Sequence, residues 1–437
     1  LRPFRVIFSF VSTVSPSSGK PYSNREDAVA VVRKLREAGH VAYFAGGCVR
    51  DLLLGRTPGD YDVVTDAPPP RVRQLFANTQ AVGAAFGVIL VRIGRSTVEV
   101  ATFRADGEYR DGRHPTAVRF TSAEEDAKRR DFTINGLFLD PLDGDRIIDF
   151  VGGRDDLAAG LVRAIGNPSE RFDEDSLRLL RAVRFAARLG FAIEPATAAA
   201  IIAHAQQLKR ITPERIAEEL RHMLMAATRS VAWQLLVDLS VAPEIFRFLP
   251  SATPPRSGRI PSLFQHLSPG TPIPFGLALA AAFVSYRPSD PETLFAPQSV
   301  RSATRAMRQA LRISNEESND FAGTLEGIQR LLTSEPTEVA LKRFLARPTA
   351  SLTRQLLKAL AAANLAPAAR AAELESELSR LAQTDFAPPP LLTGDHLTAM
   401  GLIPGPQFKR ILDAVYDAQL AGTIATHEQA IHLAKSM

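Results

Sequence analysis

The sequence predicts an α+β protein, a small α/β head followed by a long helical body. Three observations carry this. Strand-like and helical runs alternate up to about residue 165. After Asn167, Ala, Leu, Arg and Glu dominate and strand runs vanish. Glycine turns punctuate the first part and are sparse in the second. At 437 residues the chain has room for several domains.

The elements follow in order. "VAYFAGG" (41–47) is a strand reaching a glycine turn, and "CVRDLLLG" (48–55) has helical spacing with a glycine stop. "DYDVVT" (60–65) is a strand. "PPPRVRQLFAN" (68–78) puts proline at a helix N-terminus. "GVILVRI" and "STVEVATFR" flank "GR" at 94–95, a hairpin. "RFDEDSLRLLRAVRFAARLGF" (171–191) forms one charged helix, in which Glu174 and Asp175 neighbour Arg178 at spacings of four and three. Arg178, Arg181, Arg184 and Arg188 continue as a basic stripe. "SATPPRSGRIP" (251–261) and "FAPPP" (386–390) are linkers or sharp turns.

Composition bounds the function. A hydrophobic content of 45% supports packed cores rather than disorder. One cysteine, Cys48, excludes a disulfide framework and any cysteine-based zinc site. The net charge of +5 admits an acidic partner without requiring one. No apolar run is long enough for a membrane-spanning helix, and a cytoplasmic setting is expected. Residues 1–24, with the short apolar run "VIFSFV", are expected to be a disordered extension rather than a targeting signal.

The chemistry concentrates in a few places. In a strand, residues two apart share a face, so Asp60 and Asp62 project together with Tyr61 opposite. Two carboxylates this close repel, and a hard divalent cation relieves the repulsion. The preceding Gly46–Gly47 turn offers backbone N–H groups, and Arg50 a fixed charge, to phosphate. A cation with a phosphate cradle is the equipment of phosphoryl or nucleotidyl transfer. Glu99 faces away from apolar Val98 and Val100 and is the candidate third carboxylate. "KRRDFTINGLFLD" (128–140) adds Arg130, Asp131 and Asn135.

These stretches, with "DFVGGRDDL" and "ITPERIAEELRHML", resemble the class II tRNA nucleotidyltransferase and bacterial poly(A) polymerase family in order and spacing over residues 25 to 225. The segment "LLTGDHLTAMGLIPGPQFKRILDAVYDAQLAGTI" is similar to the family's tail. The resemblance implies a polymerase-β-like nucleotidyltransferase head at 25–165 and a helical neck for base selection at 166–230. It further implies a helical body at 231–385 and a tail at 386–437. It implies that Asp60, Asp62 and Glu99 bind Mg²⁺, and that Gly46, Gly47 and Arg50 hold the triphosphate of ATP or CTP. Arg130, Asp131 and Asn135 would engage the ribose and phosphate. Glu174, Asp175 and Arg178 would stand at the base edge, with Arg181 and Arg184 supporting the nucleotide. The implied partner is the acceptor arm and 3′ end of tRNA, with Lys409 and Arg410 as candidate phosphate contacts. No membrane or protein partner is implied.

Within the family, poly(A) polymerases usually carry a G-[RK]-[RK]-F-like stretch in the head. Here "VGAAFGVILVRI" (82–93) has no basic pair, which favours a tRNA enzyme. The loop "RADGEYRDGRHPTAVRF" (104–120) resembles the one that CCA- or A-adding members keep. His266 stands where many relatives have a phosphohydrolase site, but no His-Asp pair follows, so that activity is not expected. Poly(A) addition and A-only addition remain alternatives, followed by a small-substrate nucleotidyltransferase and an inactive RNA-binding relative.

Overall fold

Alternation along the strands decides the architecture of the head. The computed structural model describes residues 23–81, 87–106, 118–249, 263–286, 291–332 and 335–437. Most of the 104–120 loop, all of the 251–261 linker and the first 22 residues lie outside them. By contacts the chain divides into one unit of residues 1–159 with 163–166, and a second of 160–162 with 167–437.

The first unit is a seven-stranded sheet in the order β3-β4-β5-β2-β1-β8-β9. In chain order these are β1 (Ala42–Ala45), β2 (Val63–Thr65), β3 (Thr79–Ala81), β4 (Val88–Ile93), β5 (Ser96–Thr102), β8 (Leu137–Asp140) and β9 (Arg146–Asp149). A separate ribbon pairs β6 (Arg104–Asp106) with β7 (Val118–Phe120). Only β2 and β5 run parallel, with Val63 opposite Val100. Ala42, Phe44, Val63, Val98, Val100, Leu137 and Leu139 point to one face and join the main core under helices α1 (Arg25–Glu37) and α3 (Pro69–Leu75). Tyr43, Ala45, Val64, Ala101 and Phe138 point to the other, beside α4 (Ala123–Lys128). The β4–β5 hairpin forms as the sequence predicts.

Ser23 and Asn24, assigned by sequence to the extension, belong to the head. Ser23 is buried, its Oγ donating to the Tyr61 carbonyl and accepting from the Tyr61 N–H at 2.6 Å. The Asn24 side chain caps α1.

The "DFVGGRDDL" stretch serves packing. Asp149 accepts from the N–H groups of Val151, Gly153 and Arg154 at the start of α5 (Gly153–Ala159). Asp156, on the same helix, accepts a buried 2.7 Å hydrogen bond from the Thr133 hydroxyl. This brings α5 against the 3₁₀ turn Thr133–Asn135 so closely that a Cβ on Gly153 would lie 2.2 Å from the Thr133 carbonyl oxygen.

The second unit is helical apart from a two-stranded parallel pair, β10 (Leu161–Val162) with β11 (Ala192–Ile193). The neck holds α6 (Pro168–Glu174), α7 (Leu177–Leu189), α8 (Pro195–His204) and α9 (Pro213–Leu224). The body holds α10 (Arg229–Asp238), α11 (Val241–Phe246), α12 (Leu263–His266), α13 (Phe275–Tyr286), α14 (Pro291–Phe295), α15 (Pro297–Leu311), α16 (Asn315–Leu332), α17 (Glu338–Leu345), α18 (Ala350–Ala362) and α19 (Ala368–Leu381). The tail holds α20 (Gly394–Ala399), α21 (Pro406–Leu420) and α22 (His427–Lys435) around its own small core of Leu392, Leu397, Ile411, Val415, Ala430 and Ala434. Helix α13 is buried all round, with α16 packed against it where Gly276 leaves no room for a side chain.

Gly153→Ala is expected to destabilise the head by about 2 kcal/mol, because the clash is with backbone and cannot be relieved by a rotamer change. Urea unfolding of the full chain at neutral pH measures it; an unchanged midpoint would contradict the packing role.

Candidate active site

The acid pair sits at the open edge of the alternating pattern. Asp60, Tyr61 and Asp62 precede β2 rather than lying within it, since the strand begins at Val63. The alternation nevertheless holds. Tyr61 is buried in the main core against Phe44, and the Asp62 carbonyl accepts from the Ala45 N–H at 3.1 Å. Asp60 and Asp62 are both half-buried. One residue before the Val63–Val100 match stand Asp62 and Glu99, so Glu99 shares the face of Asp62. Among the described residues no three His, Cys, Asp or Glu side chains close into a metal-binding group. Mg²⁺ keeps waters and substrate phosphates as ligands and needs only one or two protein carboxylates, a requirement the acid pair fits.

Cys48 lies behind the pair. Its thiol donates to the Ala45 carbonyl at 3.3 Å. Burial first, then the charge of Asp62, push its pKa up to about 12. It is a neutral core residue under acidic neighbours, not a nucleophile.

Beside the acids runs a connected polar lattice. Arg50, only 4% exposed, donates from Nε and Nη2 to Asp51 Oδ1 at 2.8 and 2.7 Å, and from Nη1 to Asn135 Oδ1 at 2.8 Å. Asn135 Nδ2 donates to Asp131 Oδ1 at 3.0 Å, and the same oxygen accepts from the Phe132 N–H. Arg130 Nη1 donates to the Asn135 carbonyl at 3.3 Å. Gly46 has φ of 71° and would bring a Cβ to 3.0 Å from Arg130 Nη1, so glycine is needed for both conformation and space. Four of the sequence-predicted residues, Arg50, Arg130, Asp131 and Asn135, are thus brought together with Gly46.

Asp126 was missed by sequence reasoning, and it anchors the lattice. It is 1% exposed. Its Oδ1 accepts from Arg129 Nε and Nη2 at 2.9 and 2.7 Å, and its Oδ2 from Arg130 Nε and Nη2 at 3.2 and 3.1 Å. Burial works to raise its pKa, but the charges of Arg130 and Arg129 outweigh it and hold the carboxyl below its ordinary range. The only sequence signal was its spacing of three and four from two arginines.

In the second unit the predicted single helix is broken. Helix α6 ends at Glu174, Asp175 has φ of −144°, and α7 begins at Leu177. Asp175 and Arg178 are therefore not neighbours on one helix face. Asp175 Oδ1 accepts from the Leu177 N–H, and Oδ2 from Arg215 Nη2 at 2.9 Å. Arg178, 7% exposed, donates to Glu174 Oε2 at 2.6 Å and to the Arg171 carbonyl at 2.9 Å. The basic stripe is partly engaged within the protein, with Arg188 left exposed. Arg184 pairs with buried Glu219 at 3.3 Å, and Arg181 and Arg184 lie over the Phe185 ring at 5.3 and 4.8 Å. Arg215 and Glu219, both from "ITPERIAEEL", are partners that sequence distance concealed. Lys409 and Arg410 are exposed near the start of α21.

Comparison with known proteins places this geometry. A poly A polymerase head domain matches residues 42–163, and a region described as a probable RNA- and SrmB-binding site of polymerase A matches residues 190–252. The fold and its acid-bearing sheet thus define a polymerase-type head, followed in the chain by a region similar to that probable RNA-binding site. The CCA-adding enzyme of Bacillus subtilis is 43% identical over 219 residues, covering 50% of this chain and 55% of the relative. Poly(A) polymerase I of Salmonella typhi is 43% identical over 232 residues, covering 51% and 50%. The matched stretch spans about half the length of these relatives. The crystal structure of the Bacillus stearothermophilus CCA-adding enzyme in complex with CTP shares the fold, with a TM-score of 0.67, 27% identity, and coverage of 94% of this chain and 97% of the other. The head and neck of this chain are thus similar to those of the CCA-adding enzymes and the bacterial poly(A) polymerases.

Asp126→Asn leaves two guanidiniums without a counter-charge and is expected to cost about 3 kcal/mol at neutral pH. Because the folded-state pKa is depressed, the stabilisation is complete above the ordinary value of 3.8 and lost as pH falls through the folded value. Urea midpoints of wild type and variant should differ at pH 7 and converge well below pH 3.8; a difference independent of pH would contradict the charge assignment.

Proposed function

We propose that the chain adds C and A nucleotides to the 3′ end of tRNA without a template, releasing pyrophosphate. The observation that carries this reading is the acid pair Asp60 and Asp62 on the sheet face beside the Arg50–Asn135–Arg130 lattice. It supplies separate places for cations and for a triphosphate in one head. The likeness to a CCA-adding enzyme over nearly the whole chain, and the missing basic pair in residues 82–93, favour CCA addition over poly(A) addition.

The roles follow from the chemistry. Asp60 and Asp62 would hold Mg²⁺, which when bound neutralises triphosphate charge and activates the 3′-hydroxyl. Glu99, on the same face, adds negative charge there. The guanidiniums of Arg50 and Arg130 bind triphosphate oxygens from positions preset by Asp51, Asp126 and Asn135. The Gly46–Gly47 turn lets backbone approach the phosphates.

Base selection is assigned to the second unit. C and A each present an exocyclic amino donor beside a ring-nitrogen acceptor on the Watson–Crick edge. U and G present the reverse. A carboxylate accepting and a guanidinium donating therefore match C and A and oppose U and G. Asp175 and Arg178 supply that pair, Asp175 held by Arg215 and Arg178 by Glu174. Arg181 and Arg184 brace the helix behind them. A cytoplasmic setting is where such a substrate is met.

The central experiment incubates the full chain with Mg²⁺, labelled CTP or ATP, and a tRNA transcript lacking its last three nucleotides. CTP should be incorporated first and ATP after two C additions. A long A tract on arbitrary RNA with CTP ignored would favour the poly(A) reading. Asp60→Asn and Asp62→Asn should each abolish incorporation while the unfolding midpoint and tRNA binding stay close to wild type; near-normal turnover would sink the acid-pair assignment.

Arg178→Ala removes donors to the base and loosens the end of α6 through Glu174. The loss should be on the order of 1–3 kcal/mol of discrimination, as for bidentate side-chain–base contacts. Incorporation of all four nucleotides at subsaturating and saturating concentrations should show slowed chemistry with relaxed choice. An even fall in rate with unchanged choice would make Arg178 a structural residue only.

A further inference from the structure

The tail carries its own apolar core, from Leu391 to Ala434, and meets body helix α17 through polar groups. Arg343 on α17 is the centre of that junction. Its Nε donates to Asp417 Oδ1 at 2.5 Å, its Nη1 to Asp413 Oδ1 at 3.3 Å, and its Nη2 to the Asp413 carbonyl at 2.8 Å. The guanidinium also lies 5.2 Å from the centre of the Tyr416 ring. Next to it, Lys342 Nζ donates to the Leu420 carbonyl at the end of α21 at 2.8 Å. The grip is thus on the middle and C-terminal part of α21. Lys409 and Arg410 stand one turn nearer its start, exposed, and without an acidic partner among the described residues.

Helix geometry makes this a competition. Lys409 is four residues before Asp413, and Arg410 three before it, the spacings at which helical side chains pair. Asp413 would pair with that basic turn if nothing else held it. Arg343 holds it. We propose that Arg343 is a positioning residue with two effects: it orients the tail on the body, and it keeps Lys409 and Arg410 free for RNA phosphate. This rests on the reading that the chain extends tRNA. Its partner is RNA backbone remote from the 3′ end, read through phosphate charge. The pairs are partly exposed, with Asp413 and Asp417 side chains 51% and 49% accessible, so salt should weaken the junction.

The test compares two RNAs with the full chain: a tRNA transcript lacking its last three nucleotides, and a short hairpin of the acceptor stem alone. Arg343→Ala should raise KM for the tRNA roughly three- to tenfold, as expected for losing phosphate contacts, and leave its kcat unchanged. Both constants for the hairpin should stay at the wild-type values. Adding Asp413→Asn to Arg343→Ala should recover part of the tRNA KM, because the freed carboxylate can no longer cover Lys409 and Arg410. Equal effects on both RNAs, or none on either, would overturn the proposal. Should Arg343→Ala melt far below wild type, Arg343→Gln, which keeps a polar side chain but lacks the charge that holds Asp413, carries the same comparison. If the wild-type chain incorporates nothing into either RNA, the functional reading fails by itself. Fluorescence anisotropy of the two labelled RNAs, without nucleotide, then decides the role of Arg343 by the same selective loss.

Discussion

Asp126 carries a buried negative charge that only its two guanidiniums make tolerable. Each carboxylate oxygen takes one arginine through two N–H groups, and the Arg104 N–H adds a further bond. Burial alone would favour the neutral acid; the cations reverse that. The rest of the polar lattice hangs from this point. Arg130 is aimed at Gly46 and the Asn135 carbonyl because Asp126 holds its other edge. Asn135 in turn bridges Arg50 and Asp131. A charged lattice so tied keeps long side chains in one geometry before any ligand arrives, which reduces the entropy lost on binding.

The sheet separates this chemistry from the forces that fold it. One face supplies the main core, with Tyr61, Val63, Val98 and Val100 buried under α1 and α3. The other carries Asp60, Asp62 and Glu99 near its open part. Because the side-chain period is two, the same strands do both jobs, and a one-residue slip would bury the acids. The Ser23 hydroxyl, bonded to both backbone groups of Tyr61, helps hold that register. Behind the turn, Asp149, Gly153 and Asp156 press α5 onto Thr133 and so support the turn that carries Asn135. Support of this kind is how a site reaches useful precision.

In the second unit, arginine acts mainly as a tie. Arg178, Arg184, Arg215 and Arg343 are each engaged by carboxylates from another helix or turn. Arg229 is wholly buried and donates to carbonyls of Leu224, Leu267 and Ser268, so that backbone dipoles rather than an anion receive its charge. The formal net charge of +5 therefore overstates the positive charge that the helices leave unpaired. The exposed, unpaired cations, such as Lys409 and Arg410, matter more than the total.

Much of this was legible in the sequence for a local reason. Strand alternation, the glycine turns, the β4–β5 hairpin and the shared face of Asp60 and Asp62 depend on neighbours within a few residues. The change to helix after Asn167 is compositional. What the sequence concealed was long-range pairing. It displayed Glu174, Asp175 and Arg178 at helical spacing, yet the chain breaks after Glu174, and Asp175 turns to Arg215, forty residues on. It showed an arginine stripe, but Glu219 and the Phe185 ring take Arg184 out of solvent. Asp126 looked like one acid among three at a helix start, and only the fold buries it under Arg129 and Arg130. Local periodicity determined the two-faced head, its acid pair and the helical remainder. Tertiary structure alone decided which charges are spent on one another and which stay free, because a buried charge is bound to whichever opposite charge the packing brings within reach.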